Sequence, residues 1–323
     1  MKRIGVFTSG GDAPGMNAAI RAVTRTAIQN QLEVIGFIGG YSGILQNQFR
    51  LLQARDMANI LQRGGTILKA GRCAEFFRPE GRALAARNLK EAGIDGLICI
   101  GGDGSFTGAR ALFLEHQIAV VGIPGTIDND VAGTDFTVGF DTAVNTALHL
   151  IDKIRDTADS HDRLFLVEVM GRNSGFIAAY VGLAAGAEEV LVSDFPVPVD
   201  SVIKRIQEAI QRGKRSSIIV VAEGEKSGRV YDLAEQFRKR AGLEAKVAIL
   251  GHVQRGGSPT AADRILASRM GAMAVDALIK GHRDVMVGVQ AGQFVLVPLE
   301  LAIQKNQKQT PQEFLKLVHY LAI

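Results

Sequence analysis

The 323-residue sequence contains no tryptophan, only two cysteines and eight prolines, and no large excess of either charge. Cys73 and Cys99 stand alone, without the spacing of a zinc motif, so we expect neither a structural zinc site nor a disulfide framework. Such sparse cysteine usage is typical of a reducing compartment. The formal charge of +4 is spread along the chain, which does not favour nucleic acid as a partner.

Long apolar runs are also missing, because none approaches the length needed to span a membrane. Residues 1–7 predict a strand where a signal peptide would begin. We therefore expect a soluble, cytoplasmic protein without a membrane partner. The hydrophobic content of 47% predicts a large core, in one big α/β unit or two domains.

What is present is an alternation of apolar strands and helical patterns, typical of parallel α/β sheets. The predicted strands are Arg3–Thr8, Asp95–Ile100, Ile118–Ile123, Leu164–Val169, Glu189–Val192, Ile218–Ala222 and Val247–Leu250. The predicted helices are Met16–Gln29, Phe106–Glu115 and Phe140–Ala158. In open α/β sheets, ligands bind beyond the carboxyl ends of the strands, so the residues that follow each strand are the candidates for chemistry.

The most informative stretch is Pro124-Gly125-Thr126-Ile127-Asp128-Asn129-Asp130, directly after a buried strand. Two carboxylates, Asp128 and Asp130, stand where a ligand is expected. The alternative is a polar turn, since Asp and Asn are common loop formers.

Two glycine-rich turns follow other strands. In Ser9–Gly15, Met16-Asn17 stands where a P-loop needs Lys and Ser or Thr. Its bare N–H groups favour phosphate, although a plain tight turn explains the residues equally well. The second, Gly101-Gly102-Asp103-Gly104-Ser105, repeats the device and adds Asp103, a carboxylate suited to magnesium. Three glycines around an acid favour a functional site over a structural turn.

These blocks, together with Met170-Gly171-Arg172 and Gly251-His252-Val253-Gln254-Arg255-Gly256-Gly257, resemble the signature blocks of the bacterial ATP-dependent 6-phosphofructokinases, the prokaryotic clade of phosphofructokinase family A. The resemblance runs in order from the first strand to about residue 300. It implies two three-layer, Rossmann-like α/β domains with largely parallel sheets. Residues 1–138 plus 252–301 would bind ATP, and 139–251 plus 302–323 would bind fructose 6-phosphate.

The resemblance also implies a reaction, the transfer of the γ-phosphoryl group of MgATP to the 1-hydroxyl of fructose 6-phosphate in glycolysis. Asp128 matches the general base, and Thr126, Gly11 and Arg172 match groups that stabilise the transferring phosphoryl group. The implied substrate-binding residues are Thr126, Ile127, Asp128, Asp130, Arg163, Met170, Gly171, Arg172, Glu223, Lys246, His252 and Arg255.

Within that set, Met170 and Glu223 match residues that hold the fructose, and His252 and Arg255 match ligands of its 6-phosphate. Arg163 and Lys246 match two cations that a neighbouring subunit contributes. The family normally has Arg at the position of Lys246, and because Lys is a point charge without a fork, we expect a weaker hold on the sugar phosphate. A solvated surface lysine is the alternative.

On the nucleotide side, the resemblance implies magnesium at Asp103 and a binding site formed by Gly11, Arg72, Cys73, Gly102, Asp103, Gly104, Ser105 and Gly108. Cys73 replaces the usual aromatic residue, and Phe77 stands where Arg is common, with Arg78 and Arg82 nearby as replacements. Pyrophosphate-dependent relatives carry Asp in place of Gly104 and Lys in place of Gly125, so the two glycines favour ATP as the donor.

An effector site for ADP or phosphoenolpyruvate between subunits is implied by Arg21, Arg25, Arg155, Gly186, Glu188, Arg212 and Lys214. Arg21 and Arg25 also read as an i, i+4 pair on a solvated helix face. The resemblance therefore implies allosteric regulation. Asn59 replaces an acidic residue and Ala54 stands where some relatives have Arg, so altered or lost regulation is the alternative. The shared pockets imply a homo-oligomer, in this family a D2 tetramer.

Three other functions stay open at this stage. One is a pyrophosphate-dependent phosphofructokinase. Another is an NAD or lipid kinase, since such kinases share the Gly-Gly-Asp-Gly turn but lack the blocks at 124–130 and 251–257. The last is a metabolite sensor without turnover, which the presence of Asp128, Thr126 and Arg172 disfavours.

Overall fold

Short apolar runs form the strands of the protein in a computed structural model that describes residues 1–304 and 308–322. Within those residues the strands are β1 Arg3–Thr8, β2 Glu33–Phe37, β3 Phe49–Leu51, β4 Gly96–Gly101, β5 Val120–Pro124, β6 Leu164–Val169, β7 Glu189–Leu191, β8 Ser217–Ala222, β9 Ala245–Ile249, β10 Val285–Gln290 and β11 Gln293–Pro298.

Helices occupy most of the connections between these strands. In the described residues they are α1 Met16–Gln29, α2 Tyr41–Leu45, α3 Pro79–Glu91, α4 Asp103–His116, α5 Phe140–Ser160, α6 Phe176–Ala184, α7 Val199–Gln211, α8 Arg229–Ala241, α9 Ala261–Ile279, α10 Leu299–Ala302 and α11 Gln312–Leu321. Short 3-10 helices lie at Ala54–Met57, Glu75–Phe77 and Gly251–Arg255. None of the described helices combines the length and the apolar character needed to cross a membrane.

The chain divides into two compact units. The first contains Met1–Ile127, Val131–Thr142 and Arg255–Lys308, and the second contains Asp128–Asp130, Ala143–Gln254 and Gln309–Ile323, with 305–307 and 323 outside the described residues. The chain therefore passes from one unit to the other within the stretch 124–130.

The first unit is built on a seven-stranded sheet of order β11-β10-β5-β4-β1-β2-β3. Its neighbours pair in parallel except for the edge strands β3 and β11. The register pairs Thr8 with Ile100 and Gly101 with Pro124. As a result, the segments that follow β1, β4 and β5 begin side by side, at the carboxyl ends of three neighbouring strands.

Apolar side chains from the sheet and from helices α2, α3 and α4 form the core of this unit. Phe7, Phe37, Leu89 and Phe106 are fully buried in one cluster. Burying such side chains contributes about 1.5–3 kcal/mol each, which fixes the sheet under the loops at its edge.

The second unit has a parallel four-stranded sheet of order β7-β8-β6-β9. The register pairs Val169 with Ala222 and Glu168 with Ile249. Residues 170, 223 and 250 therefore begin three neighbouring loops at one edge. Its core contains Leu166, Ile206, Ile219 and Phe237, all buried.

The predicted fold class, two α/β domains with largely parallel sheets, is confirmed. Strands β1 and β6 and helix α1 have the predicted bounds. Helix α4 starts three residues earlier than predicted, at Asp103, because the Gly102 carbonyl accepts hydrogen bonds from the N–H groups of Ser105 and Phe106, both at 3.0 Å. Asp103, Gly104 and Ser105 thus lie on the first helical turn and not in a loop.

Candidate active site

In the first unit, the glycine-rich turn after β1 depends on backbone conformations that favour glycine. Gly10 has φ 82° and Gly15 has φ 103°, values that side chains with a Cβ rarely adopt. The Gly10 N–H points at the carbonyl of Gly71, 3.4 Å away. The segment that contains Gly71 therefore contacts the turn. Arg72, the next residue on this segment, is exposed.

Arg255 lies on this same turn in the first unit. Its Nη1 donates to the Asp12 carbonyl at 3.1 Å, and a Cβ on Gly11 would stand 2.5 Å from that Nη1. Gly11 therefore leaves room for the guanidinium. Arg255 was expected at the sugar phosphate, whereas here it contacts the turn that carries the predicted nucleotide-binding Gly11.

The turn between β4 and α4 presents a carboxylate beside an open backbone. Asp103 Oδ1 accepts the Gly104 N–H at 2.6 Å. A Cβ on Gly104 would meet no heavy atom within 4 Å, and one on Gly102 would lie 3.7 Å from Thr126 Cβ. The ends of β4 and β5 thus bring Gly102 and Thr126 into contact, with free space over Gly104.

Gly125 is confined where Gly104 is open. A Cβ there would stand 3.0 Å from Ile100 Cγ2 and 3.3 Å from Met16 Cε. The Cβ of any other residue at this position would require these buried side chains to shift by a few tenths of an ångström. The surroundings of Gly125 therefore favour glycine, whereas the space over Gly104 would admit a side chain.

The predicted adenine side is dominated by buried aromatic rings. Tyr41 stacks on Phe76 with ring centroids 3.8 Å apart, and its hydroxyl donates to the Ser105 carbonyl at 2.6 Å. Burial raises the pKa of Tyr41 well above its usual range. A Cβ on Gly108 would stand 3.0 Å from both Phe76 Cε1 and Tyr41 Oη, so the packing of these rings by itself favours glycine at position 108.

Two residues near this cluster point away from it or are bonded elsewhere. Phe77 is 82% exposed and does not join the rings. Arg82, expected to replace a missing arginine, is held by Glu115 through two 2.7 Å hydrogen bonds and donates to the carbonyls of Phe76 and Phe77. Its guanidinium is therefore engaged inside the protein.

In the second unit, the loop after β6 is pinned at two backbone N–H groups. Met170 N–H donates to Gln254 Oε1 at 2.8 Å, and Arg172 N–H donates to Glu223 Oε1 at 3.2 Å. Gly171 and Arg172 have φ 135° and 51°. A left-handed conformation at a non-glycine residue is uncommon and is maintained only by its surroundings.

Asp128 and Glu223 belong to the same unit and influence each other electrostatically. Asp128 is 6% exposed, and its carbonyl accepts a hydrogen bond from Ser174 Oγ at 2.6 Å. Burial raises the pKa of Glu223, and the charges of Asp128 and Glu168 raise it further, against the lowering effect of hydrogen bonds from Arg172 and Gly171. Asp130, by contrast, is exposed.

The predicted ligands of the 6-phosphate are spread over both ends of the second sheet. His252 is exposed and lies in the 3-10 helix after β9. Arg163 precedes β6, and exposed Lys246 on β9 is in register with Phe165. Strand β6 has six residues, or roughly 20 Å, between Arg163 and Met170. Within one chain, Arg163 and Lys246 lie at the amino ends of the strands of this sheet, whereas Met170 and Glu223 lie at the carboxyl ends.

Part of the predicted effector set is brought together in the second unit. Arg155 donates to the carbonyls of Ala185 and Gly186 at 2.6 and 3.0 Å, and Lys214 Nζ lies 2.8 Å from Glu188 Oε1. A pocket of about 400 Å³ beside them is lined by Asp162, Ile210, Gly213, Lys214 and Arg215. Arg212 is exposed at the end of α7, whereas Arg21 and Arg25 lie on α1 of the first unit.

Several contacts of the site were missed in the sequence. Gln254 stands inside the 251–257 block and Ser174 close behind Arg172, so both lie in recognisable stretches. Tyr41 stands far from every block, and no local pattern connects it to Ser105. In the residues that the structure describes, no group of three or more His, Cys, Asp or Glu side chains is arranged to hold a metal ion.

Comparison with known proteins shows which proteins this chain is similar to. The family model described as Phosphofructokinase matches residues 3–278. The chain is 56% identical over 323 residues to "ATP-dependent 6-phosphofructokinase 1" of Thermus thermophilus, covering 100% of both chains. It is 51% identical to "ATP-dependent 6-phosphofructokinase 2" of Bacteroides thetaiotaomicron, covering 100% of this chain and 99% of the relative.

Solved structures agree. The phosphofructokinase of Saccharomyces cerevisiae matches with a TM-score of 0.86 and 35% identity, over 94% of this chain and 45% of the yeast chain. The present chain therefore spans less than half of that yeast chain. A pyrophosphate-dependent phosphofructokinase from Marinobacter aquaeolei matches with a TM-score of 0.84 at 21% identity, a level at which the fold alone is shared.

Proposed function

Because the chain belongs to the phosphofructokinase family, we propose that it transfers the γ-phosphoryl group of ATP to the 1-hydroxyl of fructose 6-phosphate, giving ADP and fructose 1,6-bisphosphate. The enzyme is an ATP-dependent 6-phosphofructokinase of glycolysis. The observation that carries this assignment is the similarity to enzymes of that name over the full length of the chain.

On the sugar side, we propose that Asp128 removes the proton from the attacking hydroxyl. Its burial and its place in one unit with Glu223 and Arg172 support this role, since a general base acts from within hydrogen-bond reach of the proton. Met170 and Glu223 would hold the fructose, and His252 its 6-phosphate. Arg172 would supply positive charge to the transferring group, a main source of rate in phosphoryl transfer.

On the nucleotide side, the backbone N–H group of Gly11 would receive the phosphates, with Arg72, the hydroxyl of Thr126 and the open space over Gly104 beside it. The free space over Gly104 supports this role. Arg255 lies against Gly11 in the first unit, and its bond to the Asp12 carbonyl uses one of its five N–H groups, which leaves others to donate to a phosphate.

A magnesium ion bound with ATP fits the donor set. Magnesium usually keeps several waters and takes one or two protein carboxylates plus substrate phosphates. The lone carboxylate of Asp103, beside the open backbone of Gly104, suits that mode, and the described residues offer no multi-carboxylate cage. When bound, the ion would neutralise charge on the phosphates.

The alternatives are weaker. A pyrophosphate-dependent enzyme would carry Asp at position 104 and Lys at 125, whereas this chain has glycine at both, with little space around Gly125. NAD and lipid kinases lack the blocks at 124–130 and 251–257. A sensor without turnover would not need Asp128, Thr126 and Arg172 together.

A coupled assay for fructose 1,6-bisphosphate tests the assignment, with ATP compared against pyrophosphate. With fructose 6-phosphate as the acceptor, we expect turnover when ATP is the donor and none when pyrophosphate is the donor. In Asp128→Ser, kcat should fall about 10²–10⁴-fold, which is the range that general-base catalysis contributes. Asp152→Ser, which changes an exposed carboxylate on α5, is the matched control and should turn over at the parental rate. The proposal is contradicted if the enzyme uses pyrophosphate and not ATP as the donor, or if Asp128→Ser turns over as fast as its parent.

We also infer a cytoplasmic homo-oligomer of D2 type with an effector site for ADP or phosphoenolpyruvate. The Glu188–Lys214 pair and the Arg155 contacts support a preformed half-site on each chain. Asp162 beside Arg163 would exchange charge in the sugar-phosphate pocket between quaternary states. Hyperbolic kinetics for fructose 6-phosphate, unchanged by either effector, would exclude this regulation.

A further inference from the structure

A short segment of the first unit, residues 137–142, links three parts of the proposed phosphoryl-transfer site. It follows the stretch 124–130 and leads into helix α5. None of its residues belongs to a signature block, and its function is not explained by the mechanism above.

One side of the segment is bonded to the stretch that follows β5. Val138 N–H donates to the Pro124 carbonyl at 2.8 Å, and Val138 forms a parallel bridge with Gly125. Thr137 Oγ1 donates to the Thr126 carbonyl at 2.6 Å. The backbone that carries the proposed catalytic hydroxyl is therefore fixed by residues 137 and 138.

The same segment packs against the glycine-rich turn. A Cβ on Gly15 would stand 2.7 Å from Val138 Cγ1, and one on Gly139 would stand 2.6 Å from Ala13 Cβ and 3.1 Å from the Pro14 carbonyl. This close approach leaves no room for a shift of the segment without moving the turn that presents Gly11.

The carboxylate of Asp263, on α9, holds the far end of the segment. Its Oδ1 accepts the Gly139 N–H at 2.8 Å, and its Oδ2 accepts the Thr142 N–H at 2.8 Å and the Thr142 hydroxyl at 2.5 Å. The residue is 1% exposed. Burial raises the pKa of Asp263 against the lowering effect of these hydrogen bonds.

The anchor is itself braced by reciprocal contacts. The Thr142 hydroxyl accepts the Thr260 N–H at 3.0 Å, and Thr260 Oγ1 donates to Asp141 Oδ2 at 2.6 Å while accepting the Asp263 N–H at 3.3 Å. The starts of α5 and α9 thus cap each other. A buried polar network that is this well bonded imposes one geometry.

We propose that Asp263 is a positioning residue for phosphoryl transfer, which acts through segment 137–142 to hold Thr126 and the Gly11 turn in their reactive arrangement. The inference rests on the proposed function of that site. Asp263 touches no reacting atom in this role. A misplacement of the reacting groups by about 1 Å reduces rate by about 10²-fold, so the loss of the anchor should appear in kcat.

The test compares Asp263→Asn with Asp95→Asn. Asp95 also accepts two backbone N–H groups, from Lys2 and Arg3, but at the amino ends of β1 and β4, away from the loops of the site. An asparagine at 263 would place an NH2 group against a backbone donor. We expect kcat of Asp263→Asn to fall about 10- to 100-fold with both KM values changed less than about threefold, and Asp95→Asn to keep the parental kcat.

Assays would be run well below the melting temperatures of the parent and of Asp263→Asn. If Asp263 has a purely structural role, the substitution lowers stability and leaves kcat within twofold of the parent. That outcome would overturn the proposal. Hydrogen exchange of residues 124–142 gives a readout independent of turnover, and we expect faster exchange there in Asp263→Asn. Unchanged exchange also counts against it.

A pair of variants at Thr142 keeps the test decisive if Asp263→Asn fails to fold. Thr142→Ser retains the hydroxyl that bonds Asp263 and should keep most of kcat, whereas Thr142→Val removes it and should lower kcat with little change in KM. Equal kcat values for the two would refute the proposal. Failure of the proposed function is distinguishable, because the parent enzyme would then lack fructose 6-phosphate turnover while the exchange result still stands.

Discussion

At the scale of single residues, Glu223 shows how function and stability oppose each other in this site. The carboxyl group is buried near the charges of Asp128 and Glu168, and burial raises its pKa above the usual range. The folded protein therefore binds a proton at Glu223 more tightly than the unfolded chain does. This preference contributes stability at pH values below about 4.3, the usual glutamate pKa, and is lost as the pH rises through the folded-state pKa.

Glu223→Gln should accordingly raise the melting temperature at pH 7 relative to the parent, and this gain should shrink as the pH falls towards 4. Glutamine can still accept the Arg172 N–H through its amide oxygen. The KM for fructose 6-phosphate should rise about tenfold, since a charged hydrogen bond contributes about 1.5–3 kcal/mol. Thermal melts between pH 4 and 8 with steady-state kinetics check both. A lower melting temperature at pH 7 would contradict the pKa argument.

At the scale of elements, the ends of parallel strands decide where the site forms, and buried side chains fix the loops that follow. Glu168 on β6 is 1% exposed. It accepts hydrogen bonds from Ser227 Oγ, Gly228 N–H and Val230 N–H at 2.8, 2.7 and 3.1 Å. It thereby caps helix α8 from a neighbouring strand and closes the loop 223–228, which carries Glu223.

Glu168→Ala should lower the free energy of unfolding by about 3 kcal/mol, because buried donors at the start of α8 lose their acceptor. The KM for fructose 6-phosphate should also rise, as the loop that holds Glu223 loosens. Glu235→Ala, on the same helix with an exposed ion pair to Arg238, is the control and should change stability by less than about 1 kcal/mol. Urea unfolding of the two variants is the measurement, and equal losses would argue against a capping role.

At the scale of the whole molecule, the positions of Arg163 and Lys246 favour an assembly that shares its pockets. Both lie at the amino-terminal edge of the second sheet, and Met170, Glu223 and His252 follow its carboxyl-terminal edge. One chain cannot bring both groups to one phosphate across a strand of roughly 20 Å. If all five bind the same ligand, a second copy has to supply the two cations.

Mixing two impaired variants tests this sharing directly. Asp128→Ser lacks the proposed base, and Lys246→Ala lacks the cation proposed to serve the neighbouring subunit, so a hybrid would contain sites with Asp128 from one chain and Lys246 from the other. We expect reassembled mixtures to regain activity that neither variant has alone. Activity equal to the average of the parents would place Lys246 in its own chain's site or on a solvated surface.

Lys246→Arg is the matched conservative change at the same position. Its planar fork suits bidentate phosphate contact, so the KM for fructose 6-phosphate should fall about threefold to tenfold, or about 1 kcal/mol in binding. An unchanged or higher KM would show that lysine is not a weak point of the pocket.

The sequence by itself determined the fold class, the approximate positions of strands β1 and β4 to β9 and of helices α1 and α5, and the family, because periodic burial and the signature blocks are local properties of the chain. Strand β1 and helix α1 are read directly from apolar spacing. The predicted start of α4 was wrong by three residues. The helix is capped by the backbone carbonyl of Gly102 and by no side chain, so the sequence offers no capping residue that marks its start.

Only the tertiary structure decided which residues hold the site in place. Tyr41 reaches Ser105, Glu168 caps α8, Asp263 anchors segment 137–142, and Arg255 lies on the Gly11 turn, each across a long stretch of chain. Such contacts arise from the register of the strands and the packing of helices over them. A hydrogen bond between distant residues leaves no spacing signal in a sequence, whereas a motif of adjacent residues does.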